Sequence, residues 1–406
     1  LKIKSQKFLF FFFLLIAIFN CNFIYAQQPA NTRDSIKQID LKDVVKMILH
    51  HSSSTKKDTV AAKKKLDLSV FPAAGYSLQT RFAVLVAGNA AFQIGTDSAE
   101  KLSAVTASIA YTENNQIIIP IASNIWSKNN KYNVLGDWRI TKYPQNTYGL
   151  GGHTSLDSAD PVDYDYIRFN ETVLRNVVSN FYAGIGYTLN YRWNIKESGN
   201  PGGSETDYEK YGFAPKSVSS GVTLDLLFDG RDNPINPSKS FYANIIYTNN
   251  LKALGSDSDW QCLTVDIRKY FQFPRNSKNV LALWNYDWLT LKGTPPYLDL
   301  PATSWDPNTN TGRGYIQGRF RSKQMLYFET EYRFGLTRNG LLGAVTFANV
   351  QAVADWPSGK FETLYPGFGA GLRVKLNKQS KTNIDLDYGF GLGGSHGLTV
   401  NLGEVF

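Results

Sequence analysis

The sequence predicts an all-β protein, a 16-stranded antiparallel transmembrane β-barrel with a short N-terminal helical tail behind a cleaved signal peptide. Three observations carry that expectation. Strand-length runs from Leu66 onward alternate apolar and polar residues with a period of two. Phe and Tyr are abundant, 25 and 23 of 406 residues, while Met and Cys number two each. The connections between the runs alternate too, long on one side and short on the other.

The first residues are read apart from the fold. "LKIKSQKFLFFFFLLIAIFNCNFIYAQQ" has a basic start (Lys2, Lys4, Lys7), an apolar run from Phe8 to Phe19 and a small residue at Ala26. That is the pattern of a secretory signal peptide, residues 1–26, cleaved near Ala26. The apolar run is short for a retained membrane span. Cys21, between Asn20 and Asn22, has a poor lipidation context. Beyond it Cys262 stands alone, which excludes an intrachain disulfide in the mature chain. The net charge of +9 falls further with the three leader lysines and is spread along the chain. Nucleic acid is therefore not an expected partner.

Residues 27–65 form a periplasmic tail. In "IDLKDVVKMILHH", Asp40 is placed to cap a helix with Asp43 in its first turn, and Leu41, Val44, Val45, Ile48 and Leu49 recur at helical spacing. The following "SSSTKKDTVAAKKK" is a solvated linker. The helix would plug the lumen, lie on the inner leaflet with Lys63–Lys65 against lipid phosphates, or hang as a loose tail.

Residues 66–406 make the barrel. "NFYAGIGYTLNYRWN" sets Phe181, Ala183, Ile185, Tyr187, Leu189, Tyr191 and Trp193 on one face, with Gly184, Gly186, Thr188, Asn190 and Arg192 on the other. The run exceeds a half-buried soluble strand and carries aromatics at its ends, as a lipid-facing strand does. "GFGAGLRVKLN" and "TNIDLDYGF" repeat the pattern, the second setting Asn383, Asp385 and Asp387 inward. The expected strands are 67–77, 80–93, 102–112, 116–127, 131–143, 162–173, 180–193 and 216–228. The remaining eight are 240–250, 261–272, 278–291, 324–335, 341–351, 367–376, 382–391 and 397–406. If the first runs outward, the long connections (144–161, 194–215, 292–323, 352–366) all lie outside and the short ones in the periplasm. No run of about 18 apolar residues follows the leader, so no helical span is expected.

Against this frame, "TGRGYIQGRFRSKQ" lies in the longest outer connection, ahead of five strands. Its Arg313-Gly314-Tyr315 resembles the Arg-Gly-aromatic signature of the BamA/TamA superfamily of outer-membrane barrels, the bacterial surface antigen family. "LLFDGRDNPINPSKSFY" (Asp229, Arg231, Asp232, Asn233, Pro234, Pro237) is similar to the family's turn between the eighth and ninth strands. "FETEYRFGL" resembles its Glu-x-Arg-Phe strand, and the terminal Phe406 its sorting signal. Gly312, Gly314 and Gly318 let this loop fold back into the lumen, where Arg313 is expected to meet the inward carboxylates Glu329 and Glu331; a solvated, mobile basic loop is the alternative. The resemblance implies a weakly zipped seam between first and last strands. Two departures stand out. Asn349 occupies the position of the family's usual acidic loop partner, with Gln351 where glycine is expected. The roughly 40 residues before the barrel leave no room for polypeptide-transport-associated domains.

The resemblance implies help with insertion, assembly or translocation of proteins or lipids, with outer-membrane lipids and other outer-membrane or periplasmic proteins as partners. A passive diffusion channel, with Arg313, Arg319 and Arg321 setting pore charge, and a purely structural scaffold are the alternatives. No enzyme, cofactor or metal is expected. His153 near Ser155 is the one Ser–His pair the sequence offers, and "DSADPVDYDY" (Asp157, Asp160, Asp163, Asp165) the one calcium-like run.

Overall fold

The computed structural model describes residues 37–49, 66–95, 100–199, 203–378 and 380–406. The leader, His50, His51 and Lys63–Lys65 lie outside the described residues. Strands run β1 (Leu66–Ser77), β2 (Arg81–Phe92), β3 (Ser103–Thr112), β4 (Ile117–Trp126), β5 (Tyr132–Lys142) and β6 (Gln145–Thr147). They continue as β7 (Asp160–Val178), β8 (Phe181–Glu197), β9 (Ser217–Asp229), β10 (Ser240–Asn250), β11 (Trp260–Gln272) and β12 (Val280–Gly293). The last are β13 (Gln324–Gly335), β14 (Leu342–Val353), β15 (Tyr365–Asn377), β16 (Thr382–Gly391) and β17 (His396–Leu402). Among the described residues two α-helices join them, α1 (Leu41–Leu49) and α2 (Asp207–Gly212).

Each stave pairs antiparallel with its neighbours in sequence, and β17 returns to β1, closing the sheet. The three-residue β6 only lines the outer end of β7, so the barrel has sixteen staves. Closure matters because a bilayer core offers no water to an open edge.

Alternation holds around the wall. On β9, Thr223, Asp225 and Leu227 are buried while Val222, Leu224 and Leu226 are exposed. On β16, Asn383, Asp385 and Asp387 point inward, and Leu386, Tyr388 and Phe390 outward. An apolar band of this extent requires an apolar solvent. β7 and β8, 19 and 17 residues long, exceed the 9–11 residues that span a bilayer, so their outer ends stand clear of it.

Three departures from the expected strands have physical causes. β7 runs to Val178 rather than 173, because Asn180 takes the left-handed conformation (φ 62°) of a tight turn. β6 is additional, a short pairing of the β5–β7 connection onto β7. The last strand ends at Leu402 instead of 406: at Gly403 (φ 94°) the chain turns into the lumen, where Val405 and Phe406 are buried. Glu404 is drawn there by Arg373, whose Nε lies 2.9 Å from its carboxylate.

That turn leaves the closure narrow. Tyr76 opposite Val400 is the single registered pair between β1 and β17 among the described residues. By contrast, β1 and β2 pair from Leu66↔Phe92 to Ser77↔Arg81. Pro72, which lacks an N–H, sits in this edge-like strand, where proline is tolerated. Val70 and Leu68 on β1 are 76% and 67% exposed, as expected of a stave with one neighbour missing.

α1 docks at the short-turn end, neither in the lumen nor free. Asp40 accepts from the amides of Asp43 (3.0 Å) and Lys378 (3.0 Å), and the Lys378 ammonium lies 2.6 Å from Asp43. The Ile39 amide donates to Asn339 O at 3.1 Å, tying the tail to the β13–β14 turn as well.

Candidate functional site

The connection between β12 and β13, residues 294–323, folds into the lumen, burying Ala302, Thr303, Thr311, Phe320 and Arg321. Glycine makes the descent possible. Gly314 has φ 98°, and a Cβ there would stand 2.7 Å from Phe390 O. Facing it, a Cβ on Gly389 would meet Gly314 N at 2.7 Å, so loop and β16 touch backbone to backbone.

That contact delivers Arg313 to its partners. Its guanidinium bonds Glu329, Glu331 (2.6 Å) and Asp387 (2.9 Å), and lies 3.7 Å above the Phe347 ring. Glu329 and Glu331 are fully buried, and Tyr327 donates its hydroxyl to Glu329. Tyr315 pins the next turn, donating to Pro366 O (2.6 Å) and accepting from the Leu392 amide (2.9 Å). Gly314 O accepts from Ser395 Oγ at 2.8 Å.

Asn349 plays another part than the one expected. Its Nδ2 donates to the backbone carbonyl of Arg313 at 3.0 Å, not to the guanidinium. The third acid on that guanidinium is Asp387 of β16, which sequence reading placed on the inner face but did not pair. A backbone carbonyl needs a donor, which an amide offers and a carboxylate does not.

The charges continue down the lumen. Arg333 meets Glu331 at 2.7 Å, and Arg373 meets Asp387 (2.5 Å), Asp385 (3.2 Å) and Glu404 (2.9 Å). Three guanidiniums thus share five carboxyl groups. The β9–β10 turn joins from below. Asp229 and Arg231 form a bidentate pair (2.9 and 2.8 Å), with the guanidinium 4.5 Å from the Tyr242 ring. Asp232 accepts from Ser238 N and Oγ, both at 2.8 Å. Burial opposes its ionisation, but the Ser238 hydrogen bonds and the Lys239 amide outweigh it, holding the carboxyl below its ordinary 3.8. Pro237 O receives Arg333 at 3.5 Å, and Asn236 reaches Glu404 at 2.9 Å. Phe406 O accepts from Arg333 (2.8 Å) while its ring stacks on Trp284 at 5.1 Å. The loop, turn and terminal residues therefore meet in one polar network.

A sequence pattern existed for part of it. In "GDWRI", "FDGRD", "VDIRK" and "TEYRF" an acid precedes Arg by two, and all four pairs bond through Nε at 2.7–2.9 Å. On β5, β11 and β13 residues two apart share a strand face, so acid and arginine pair along the wall, while Arg231 folds back onto Asp229 from the turn just past β9.

The other candidates do not assemble. His153 Nε2 faces Asp355 at 3.4 Å, while Ser155 Oγ bonds Asp157, so no Ser–His pair forms. The four aspartates of "DSADPVDYDY" diverge: Asp165 takes Asn194 (2.7 Å), Asp163 lies 4.0 Å from Lys142, and Asp160 is buried beside Glu197 and the Gly199 amide.

No family model and no curated relative matches the chain. Solved structures do. BamA from Haemophilus ducreyi lacking POTRA domains 1–3 superposes with TM-score 0.56 at 12% identity, over 93% of this chain and 79% of that one. The fold is that of the BamA and CdiB barrels. CdiB from Escherichia coli gives 0.55 at 10% identity, over 85% of this chain and 63% of its own. CdiB from Acinetobacter baumannii gives 0.53 at 11%, over 84% and 60%. The chain thus spans less than two thirds of either CdiB.

Proposed function

We propose that this protein resides in a bacterial outer membrane and assists the insertion, assembly or translocation of proteins or lipids there, together with outer-membrane or periplasmic partners. Lipids are its solvent and part of its substrate environment; it performs no bond chemistry and needs no cofactor. The observation that carries the reading is the seam. β1 offers Leu66–Gly75 with no registered partner toward β17. In a bilayer each unpaired backbone group costs several kcal/mol, so this edge favours pairing with an incoming strand. The likeness in fold to BamA and CdiB supports the same reading. The infolded loop weighs against an open diffusion channel.

The test is a disulfide across the seam, Tyr76→Cys with Val400→Cys in a Cys262→Ser background. Reconstituted in liposomes, the reduced protein should speed folding of an unfolded outer-membrane barrel, and the oxidised one should fall to the spontaneous rate. Equal acceleration in both states would sink the seam mechanism.

A further inference from the structure

Two connections at the long-loop end meet where His153, Asp355 and Glu362 converge. The β14–β15 connection doubles back on itself. The Asp355 amide donates to Lys360 O at 2.8 Å and the Gly359 amide to Asp355 O at 2.7 Å, which returns Glu362 to the side of Asp355. The β5–β7 connection packs against it backbone to backbone, since a Cβ on Gly151 (φ 84°) would stand 3.0 Å from Trp356 N. The Gly152 amide then donates to Asp355 Oδ1 at 3.0 Å and fixes the carboxylate. The other oxygen, Oδ2, is sealed from solvent and accepts no hydrogen bond among the described residues. His153 Nε2 stands 3.4 Å from that oxygen. With a carboxylate oxygen of Glu362 it completes a set of three atoms that all lie within 4.8 Å of one another.

One imidazole and two carboxylates are the donor set of a borderline divalent ion. Ligand atoms roughly 2.0–2.2 Å from a tetrahedral zinc stand about 3.3–3.6 Å apart, the spacing already found between His153 and Asp355. The Gly152 bond is the kind of outer support that holds a ligating carboxylate in place. His153 is 65% exposed, so an ion can enter from solvent and keep water as its fourth ligand. We propose that His153, Asp355 and Glu362 form a zinc site. The imidazole selects zinc over calcium and magnesium, which take oxygen ligands. The ion would clip the β5–β7 connection to the β14–β15 connection. Thr154, next to His153, receives Arg319 of the infolded loop at 2.7 and 2.6 Å, so the clip would also brace the outer end of the plug. The seam mechanism does not depend on it.

Equilibrium dialysis of the detergent-solubilised full chain against zinc chloride reads the site directly, with His50→Asn and His51→Asn introduced to silence the tail's histidine pair. One equivalent of zinc should bind, and a large excess of calcium should not displace it. His153→Asn and Asp355→Asn should abolish that equivalent, and His396→Asn, on the final hairpin, should leave it unchanged. Glu362→Gln should weaken binding by roughly tenfold or more, since losing even an outer partner of a ligand costs that much. Zinc should also slow protease cleavage within residues 355–362 of the parent chain and not of the ligand variants. Heat-modifiable gel migration checks the fold of each variant, and Glu362→Gln, at an exposed position, carries the test should Asp355→Asn not fold. No zinc binding, binding that calcium displaces, binding equal in the parent and the folded variants, or cleavage unmoved by zinc would overturn the proposal.

Discussion

At the residue scale, Arg313 is held by geometry as much as by charge. Its planar fork meets three carboxylates from two strands, an arrangement a lysine point charge does not reproduce. With five carboxyls already sharing three guanidiniums, Arg313→Ala would leave buried acids in excess. Breaking such a buried pair from one side costs about 3–5 kcal/mol. The expected result is a lower thermal unfolding midpoint and release of the loop, seen as new protease cleavage within residues 294–323, with Arg313→Lys intermediate. Unchanged cleavage in Arg313→Ala would show that Tyr315 and Ser395 hold the loop alone. Gly314→Ala should loosen the same loop, because the added Cβ meets the β16 backbone and the positive φ strains any L residue by about 1–3 kcal/mol. The Arg-Gly-Tyr motif was visible in sequence because its chemistry is local. Asp387 was not, since it pairs with Arg313 across 74 residues.

At the element scale, α1 is fastened by ionised carboxylates outside the membrane. Asp43 is held below its ordinary 3.8 chiefly by the Lys378 hydrogen bond. For Asp40 burial works the other way, and the Lys378 and Asp43 amides outweigh it. Both folded values are depressed, so their contribution to docking is complete above the ordinary carboxylate range and is lost as pH falls through the lowered values. The protection of the Val44 amide relative to its intrinsic exchange rate, with its N–H bonded to Asp40 O at 3.1 Å, should therefore hold level from pH 5 to 8 and fall under strongly acid conditions. Asp43→Asn should move that onset upward in pH; a pH-independent protection factor would mean the carboxylates do not fasten the helix. The helix itself was legible from spacing and cap. Its berth on the strand turns was one of three places the sequence allowed.

At the scale of the whole molecule, the barrel wall encloses its own plug. Loop 294–323, the turn after β9 and the residues beyond Gly403 all reach the lumen: Asn310 of the loop donates to Val405 O at 2.6 Å, while Asn236 and Arg333 tie the turn to Glu404 and Phe406. A planar-bilayer recording of the protein should give a small, flickering conductance that grows in Arg313→Ala, because the loop, not the wall, sets the constriction. A large, steady conductance indifferent to Arg313 would return the channel reading to first place.

The sequence by itself determined the sixteen staves, their inward and outward faces and the sorting of long and short connections. A strand's side-chain period is two, and lipid on one side with water on the other prints that period into composition. Only the tertiary structure decided which charges meet, where the last strand stops and how little of it zips to the first. Those depend on closure of the ring, which brings β16, β17 and β1 beside a loop dozens of residues away. No local pattern encodes a distance that exists only once the sheet has joined its own edge.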